Sequence, residues 1–86
     1  MRFKDVRVER TERFAIGIDL DTNRFYVSIP VSNRLADYEE YYEVSKEEFD
    51  RYIANPQDAL PLVQRCRQRL EDARLLIPPG ADRGTA

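Results

Sequence analysis

Apolar and polar residues alternate along three stretches in the first half of the chain, a pattern typical of β-strands with one buried face. Val6 and Val8 alternate with charged residues, which predicts an edge strand. Two longer stretches follow, and their apolar positions are Phe14, Ile16, Ile18 and Leu20, then Phe25, Val27, Ile29 and Val31. We expect these two stretches to form a hairpin, because residues 21–24 between them have the composition of a turn.

The segment from Asp37 to Val44 fits two periodicities. A strand places alternate residues on opposite faces, with Tyr38, Glu40 and Tyr42 on one and Asp37, Glu39, Tyr41 and Glu43 on the other. A helix instead gives an apolar stripe of Leu35, Tyr38, Tyr41 and Tyr42. Tyrosine is enriched in strands, and a strong helix start follows directly, so the pattern favours the strand and leaves the helix as an alternative.

That helix start is a capping box, in which the Ser45 hydroxyl accepts from the Glu48 backbone and the Glu48 side chain reaches back to the cap. An apolar stripe of Phe49, Tyr52 and Ile53 predicts the first helix. A second helix is expected from near Asp58 to about Arg74, with an apolar side of Leu60, Val63, Cys66 and Leu70. The short apolar run at residues 75–77 then covers the sheet or adds a strand.

These elements predict an α+β fold, with an antiparallel meander of three or four strands followed by two helices packed on one sheet face. Residues 1–77 form the expected single domain, since a chain of 86 residues is too short for two. Pro78, Pro79 and Gly80 end it, and residues 78–86 are expected to be a flexible tail.

Composition excludes several classes of function. The chain has no histidine and one cysteine, Cys66, so we expect no disulfide, no metal site, no cofactor and no enzymatic activity. The net charge of −2 argues against nucleic acid as a ligand. No apolar run approaches a membrane span, and the N-terminus does not resemble a signal peptide. We therefore expect a cytoplasmic protein.

The negative charge is concentrated in one place. Residues 37–50 contain seven acidic residues and one lysine, whereas the chain on either side is net positive. We call residues 37–43 the acidic strand, and its three tyrosines and four carboxylates suggest a protein-binding surface. The residues expected to bind the partner are Asp37, Tyr38, Glu39, Glu40, Tyr41, Tyr42 and Glu43.

A structural alternative is an edge strand whose charges only prevent unwanted pairing. In either case Glu40 lies on the more apolar face and needs a cationic partner, expected from an arginine of the second helix or of another subunit.

Other candidate sites have stronger structural explanations. Asp19 and Asp21 resemble the start of a calcium loop, but Arg24 replaces the required glycine, so two aspartates closing a hairpin turn are favoured. Cys66 lies on the apolar side of a helix, which favours a packed thiol. The arginines of the second half are expected on a solvated face or paired with the acidic strand, and they lie at positions 65, 67, 69 and 74.

Two blocks, residues 28–33 (SIPVSN) and 37–43 (DYEEYYE), together with the closing stretch 74–84, resemble a group of small bacterial proteins of uncharacterised function. Some such acidic proteins are similar to immunity proteins of bacterial toxin systems, which block a basic toxin site. This resemblance implies a non-catalytic, protein-binding function with a basic partner. The alternatives are a homodimer that associates through the acidic strand, and a small-ligand or metal-binding domain that uses Asp19 and Asp21.

Overall fold

The computed structural model of the protein describes all residues 1–86. Four antiparallel strands form one sheet in sequential order. They are β1 (Phe3–Glu9), β2 (Phe14–Asp19), β3 (Arg24–Ser32) and β4 (Asp37–Val44). Two helices follow, α1 (Lys46–Ala54) and α2 (Leu60–Arg67), with short 3₁₀ turns at Pro56–Ala59 and Asp72–Arg74. The predicted α+β meander with two helices is confirmed.

Both helices pack on the same face of the sheet and enclose the core between them. Strand residues Ile16, Val27 and Ile29 meet Tyr52 of α1 and Val63 of α2, and all five are at most 3% exposed. Burial of an aliphatic or aromatic side chain of this size contributes about 1.5–3 kcal/mol, so this layer is the main stabilising feature of the domain. We call the other side of the sheet, which no helix covers, the open face.

The local signals at the start of α1 and in the β2–β3 turn act as predicted. The Ser45 hydroxyl accepts from the Glu48 N–H at 3.0 Å, and the Ser45 N–H donates to Glu48 Oε1 at 2.8 Å. In the turn, Asn23 adopts a positive φ of 60°, a conformation that asparagine tolerates better than most residues. The hairpin prediction is therefore confirmed, although Leu20 lies beyond the end of β2 and is 44% exposed.

The segment 37–44 is a strand, and the helical alternative is wrong. Its register against β3 pairs Tyr42 with Val27, and Glu40 with Ile29. The even-numbered residues of β4 therefore face the helices and the odd-numbered residues face away, as the strand pattern predicts.

The second helix is shorter than the sequence indicates. It ends at Arg67 instead of near Arg74, because Arg69 takes a left-handed φ of 61° that a right-handed helix does not allow. Leu70 is consequently 56% exposed and is not part of the apolar side. The chain then returns to the sheet, where Leu75 forms an antiparallel bridge with Tyr42 and Leu76 is buried.

The first strand is an edge strand, as predicted, and a bulge interrupts it. Its register against β2 shifts between Asp5 and Arg7, and a bulge of this kind bends an edge away from regular pairing. Val6 and Val8 are both about half exposed. The edge formed by β1 is thus poorly suited to continuous strand addition.

The last residues lie against the sheet. Thr85 forms two reciprocal backbone hydrogen bonds with Ser32, at 2.9 and 3.0 Å, and Asn33 Nδ2 donates to the Asp82 carbonyl at 2.9 Å. A side chain on Gly84 would overlap the Ser32 backbone. The sequence predicts a flexible tail over residues 78–86, and its mobility stays a prediction; its contacts place residues 82–85 on the domain.

Candidate functional site

The acidic strand divides its seven residues between two environments. Tyr42 is fully buried, Glu40 is 7% exposed and Tyr38 is half-buried, all on the helix-facing side. Asp37, Glu39, Tyr41 and Glu43 lie on the open face. The seven predicted partner-binding residues thus include two whose side chains are enclosed by the protein itself.

Glu40 is neutralised by an arginine from the end of the chain. Arg83 Nε lies 2.8 Å from Glu40 Oε2, and Arg83 Nη2 lies 3.1 Å from Oε1. The Tyr42 hydroxyl donates to Glu40 Oε1 at 2.8 Å. A buried carboxylate needs a cation and hydrogen-bond donors of this kind, because the loss of hydration is otherwise uncompensated.

The same guanidinium makes a second bidentate pair. Arg83 Nη1 and Nη2 lie 2.7 and 2.9 Å from the two oxygens of Asp72, and these hydrogen bonds lower the pKa of Asp72 below its ordinary value. Nearby, the Gly84 N–H donates to the Tyr38 hydroxyl at 2.6 Å, and Arg69 Nη2 donates to the Gly84 carbonyl at 2.9 Å. Residues 83–85 therefore serve as a strap that closes the helix-facing side of β4.

The arginines at positions 65, 67, 69 and 74 form no ion pair with a carboxylate of the acidic strand, and their one hydrogen bond to it runs from Arg74 Nη1 to the Glu43 carbonyl at 3.1 Å. Arg69 donates to the Gly84 carbonyl. Arg65 pairs with Glu71, Arg67 donates to the backbone carbonyls of Glu12 and Arg13, and Arg74 pairs with Glu48 and Glu71. The prediction that Glu40 pairs with the second helix or another subunit is wrong. The actual partner, Arg83, lies in the segment for which sequence reasoning predicted flexibility, and no local pattern links it to Glu40.

Three aromatic rings form a small cluster on the open face. The Phe3 ring stacks on Tyr41 with centroids 3.6 Å apart, and Tyr26 meets both rings edge to face. Gly17 makes this possible, because a Cβ there would overlap the Tyr26 ring and the Lys4 carbonyl. Within this cluster Tyr26 is fully buried, whereas Tyr41 is half-exposed.

Two carboxylates border this aromatic cluster. The Tyr26 hydroxyl donates to Asp5 Oδ1 at 2.6 Å, and the Ser28 hydroxyl donates to Glu39 Oε1 at 3.3 Å. Neither carboxylate has an arginine or lysine nitrogen within 4.0 Å. Partial burial and the charge of Asp5 raise the pKa of Glu39 above its ordinary value. Glu39 thus lies on the open face without an ion-pair partner within 4.0 Å.

The two other carboxylates of the open face, Asp37 and Glu43, are exposed as well. Asp37 accepts from the Ser32 hydroxyl at 2.6 Å, and Glu43 lies 3.9 Å from Arg24 in a long, solvent-exposed ion pair. Such a pair contributes at most about 1 kcal/mol and is easily exchanged for another cation. The open face of β4 therefore presents three carboxylates around the Tyr41 ring.

A groove lies beside the outer edge of β4. It encloses about 350 Å³ between residues Tyr38–Tyr41 and the loop 77–83. Ile77, Pro78 and Pro79 form part of its far wall, and Arg83 also contributes. The groove is therefore bordered on one side by a strand edge and on the other by a loop with few backbone hydrogen bonds.

Asp19 and Cys66, two other candidate residues, both have structural contacts within the protein. Asp19 is fully buried and accepts hydrogen bonds from the Arg2 N–H, the Asp21 N–H and the Thr22 hydroxyl at 2.8–3.2 Å. These hydrogen bonds hold the β2–β3 turn, which is the structural role that the sequence favours for Asp19. Cys66 is 1% exposed, and burial raises the pKa of its thiol to about 12, which matches the packed thiol predicted from the helix pattern.

Comparisons with known proteins identify no relative of this chain. No family model matches the chain, and no curated protein and no solved structure matches it either. None of the helices has the length and apolar character of a membrane span. The resemblance to immunity proteins of toxin systems stays a prediction.

Proposed function

We propose that this protein is a non-catalytic binding domain whose open face of β4 recognises a basic protein partner. The contacting residues are Asp37, Glu39, Tyr41 and Glu43. An immunity-like inhibitor, whose carboxylates cover a basic site of a toxin, is the form of this function that the sequence resemblance favours. In this proposal Tyr38, Glu40 and Tyr42 do not contact the partner. They bind the strap and hold β4 in position.

The observation that carries the proposal is the contrast between neutralised and free carboxylates. Glu40, Glu48, Glu71 and Asp72 each pair with an arginine within 3.2 Å. Glu39 forms no ion pair within 4.0 Å, and its pKa is raised although Arg13 lies near enough to lower it in part. A partner's lysine or arginine would relieve this unfavourable charge. Complementary charge of this kind also accelerates encounter and excludes acidic competitors.

Tyr41 supplies the apolar part of the contact. Its ring is held by stacking on Phe3 and by the edge of Tyr26, so little side-chain entropy remains to be lost on binding. Rigid, half-exposed tyrosines are enriched among residues that contribute most to interface affinity. We therefore expect Tyr41 to lie near the centre of the interface and the carboxylates to surround it.

Affinity capture from a bacterial lysate tests this function. The native protein is compared with a D37N/E39Q/E43Q variant and with a matched E12Q/E47Q/D58N variant, which removes the same charge from exposed sites outside the open face. We expect a basic protein to be retained by the native protein and the matched control, to be lost with the β4 variant, and to elute as salt rises. Equal retention by all three proteins would contradict the proposal.

Self-association is the second candidate function, and the structure gives it less support. Pairing two acidic strands would bring like charges together, and the arginines that were expected to neutralise them are engaged within the chain. Sedimentation equilibrium at rising ionic strength tests it directly. A dimer that tightens at high salt would favour association through this face, since salt screens the repulsion.

A further inference from the structure

Alternate residues of β4 turn their backbone N–H and carbonyl groups toward the outer edge of the sheet. Tyr41 and Glu43 turn their carbonyls outward, where they accept from the Leu76 N–H at 2.9 Å and from Arg74 Nη1 at 3.1 Å. Ser32 of β3 is in register with Asp37 of β4. The Ser32 N–H and carbonyl bond to Thr85 instead, so they point away from β4. Backbone direction alternates along a strand, and Glu39 therefore also turns its N–H and carbonyl outward.

No protein group bonds to the Glu39 backbone there. The chain's own residues 74–76 already add to the edge of β4 in antiparallel fashion, but they reach only Tyr41. Beyond that point the loop 77–83 moves away and leaves the groove of about 350 Å³ described above. An unpaired strand edge inside a groove is the geometry that peptide-binding domains use for strand addition.

We propose that the partner contributes an extended segment that enters this groove and pairs antiparallel with β4 at Glu39. This inference rests on the proposed function and specifies how the basic partner binds. Antiparallel pairing continues the pattern that residues 74–76 begin. The other edge of the sheet is a poorer site, because the bulge at Val6 interrupts β1.

The two sides of the groove define the sequence of the bound segment. A residue opposite Glu39 places its side chain on the open face beside the Glu39 carboxylate, so it is lysine or arginine. Its neighbours point to the other side, toward Ile77 and the already neutralised Arg83, where an apolar side chain fits better. The partner segment therefore alternates basic and apolar residues.

Capped hexapeptides of alternating lysine and valine test this binding mode. In the proposed pairing the lysine amides face β4 and the valine amides face solvent. Two analogues with the same charge carry N-methyl groups, one on the lysine amides and the other on the valine amides. We expect the valine-methylated peptide to bind as well as the parent, and the lysine-methylated peptide to bind about tenfold more weakly or worse.

Hydrogen exchange provides the second measurement. The Glu39 amide should exchange more slowly when the parent peptide is bound, while the amide of Glu47 on α1 should not change. A Glu39→Pro variant removes the outward N–H and Glu39→Gln keeps it, and edge strands tolerate proline at such a position. We expect Glu39→Pro to bind the parent peptide more weakly than Glu39→Gln does.

The outcomes separate this inference from the proposed function. Equal binding of all three peptides would overturn strand pairing and leave recognition by charge intact, because the peptides carry equal charge. A greater loss with the valine-methylated peptide, or no binding of any peptide, would also overturn the inference. Loss of the captured partner on removal of the β4 carboxylates tests the proposed function independently of these results.

Discussion

The buried carboxylate of Glu40 is paired with Arg83, a residue 43 positions away in the sequence. The Arg83 guanidinium pairs with both Glu40 and Asp72, and the side chains of Arg83 and Glu40 are only 12% and 7% exposed. Pairs of this kind add little net stability when compared with an apolar pair. Replacing only one partner of the pair lowers the stability strongly, because the charge of the other partner then stays buried without compensation.

Arg83→Met is therefore expected to lower the free energy of unfolding by about 3–5 kcal/mol. Urea denaturation followed by circular dichroism measures this change. The double variant Glu40→Gln/Arg83→Met should recover part of the loss, because no charge is then left buried. A loss below about 1 kcal/mol in Arg83→Met would mean that Arg83 does not occupy this position in solution.

Glu39→Gln should have the opposite effect at neutral pH. The folded state raises the pKa of Glu39 above its ordinary value of 4.5, through partial burial first and the nearby Asp5 second. The protonated form is thus favoured by folding, so the stabilisation is present below the ordinary pKa and is lost as the pH rises through the folded value. We expect the glutamine variant to be more stable than the native protein at pH 7 and not at pH values below 4.5.

Urea denaturation at the two pH values checks this prediction, with Glu47→Gln as the control. Glu47 is exposed and lies in the first turn of α1. A glutamine at position 39 that destabilises the protein at pH 7 would show that Glu39 has a favourable contact in the folded protein. A functional group that reduces stability is the pattern expected of a binding surface.

The elements of the fold differ in how far local sequence determines them. The β2–β3 hairpin and the start of α1 follow from alternation, turn residues and a capping box, all within a few positions. The end of α2 does not, because nothing in the residues before it predicts the left-handed conformation of Arg69. Its position is set by the return of the chain to β4 at Leu75, which is a tertiary contact.

Ser45→Ala should cost about 1 kcal/mol, because it removes the acceptor for the Glu48 N–H at the start of α1. For a domain of this size the melting temperature would fall by roughly 4–8 °C. Ser45→Asp keeps an acceptor at the cap and should retain most of the stability. If both variants melt at the same reduced temperature, the hydroxyl has a role other than capping.

At the scale of the whole molecule, the strap joins the two halves of the chain. It bonds to Ser32 at the end of β3, to Tyr38 and Glu40 in β4, and to Arg69 and Asp72 after α2. The sequence indicated the acidic strand as the candidate site and assigned its two faces correctly. The sequence does not predict the strap, because a short polar segment with Pro and Gly has the composition of a tail and its contacts are all distant in sequence.

Hydrogen exchange measured by NMR tests whether this arrangement persists in solution. The amides of Gly84 and Thr85 donate to Tyr38 and Ser32, and we expect them to be protected. The amides of Gly80 and Ala81 bond to no protein group and should exchange rapidly. Equally fast exchange at all four positions would show that the whole segment is flexible, as its composition predicts.

The aromatic cluster on the open face also gives the protein an intrinsic optical probe. The chain has five tyrosines and no tryptophan, so tyrosine dominates its near-ultraviolet absorption. Tyr26 and Tyr41 lie 4.9 Å apart, and Phe3 stacks on Tyr41, so their electronic transitions couple. Near-ultraviolet circular dichroism should therefore carry a strong contribution from this one place, and a partner that covers Tyr41 would change the spectrum without any added label.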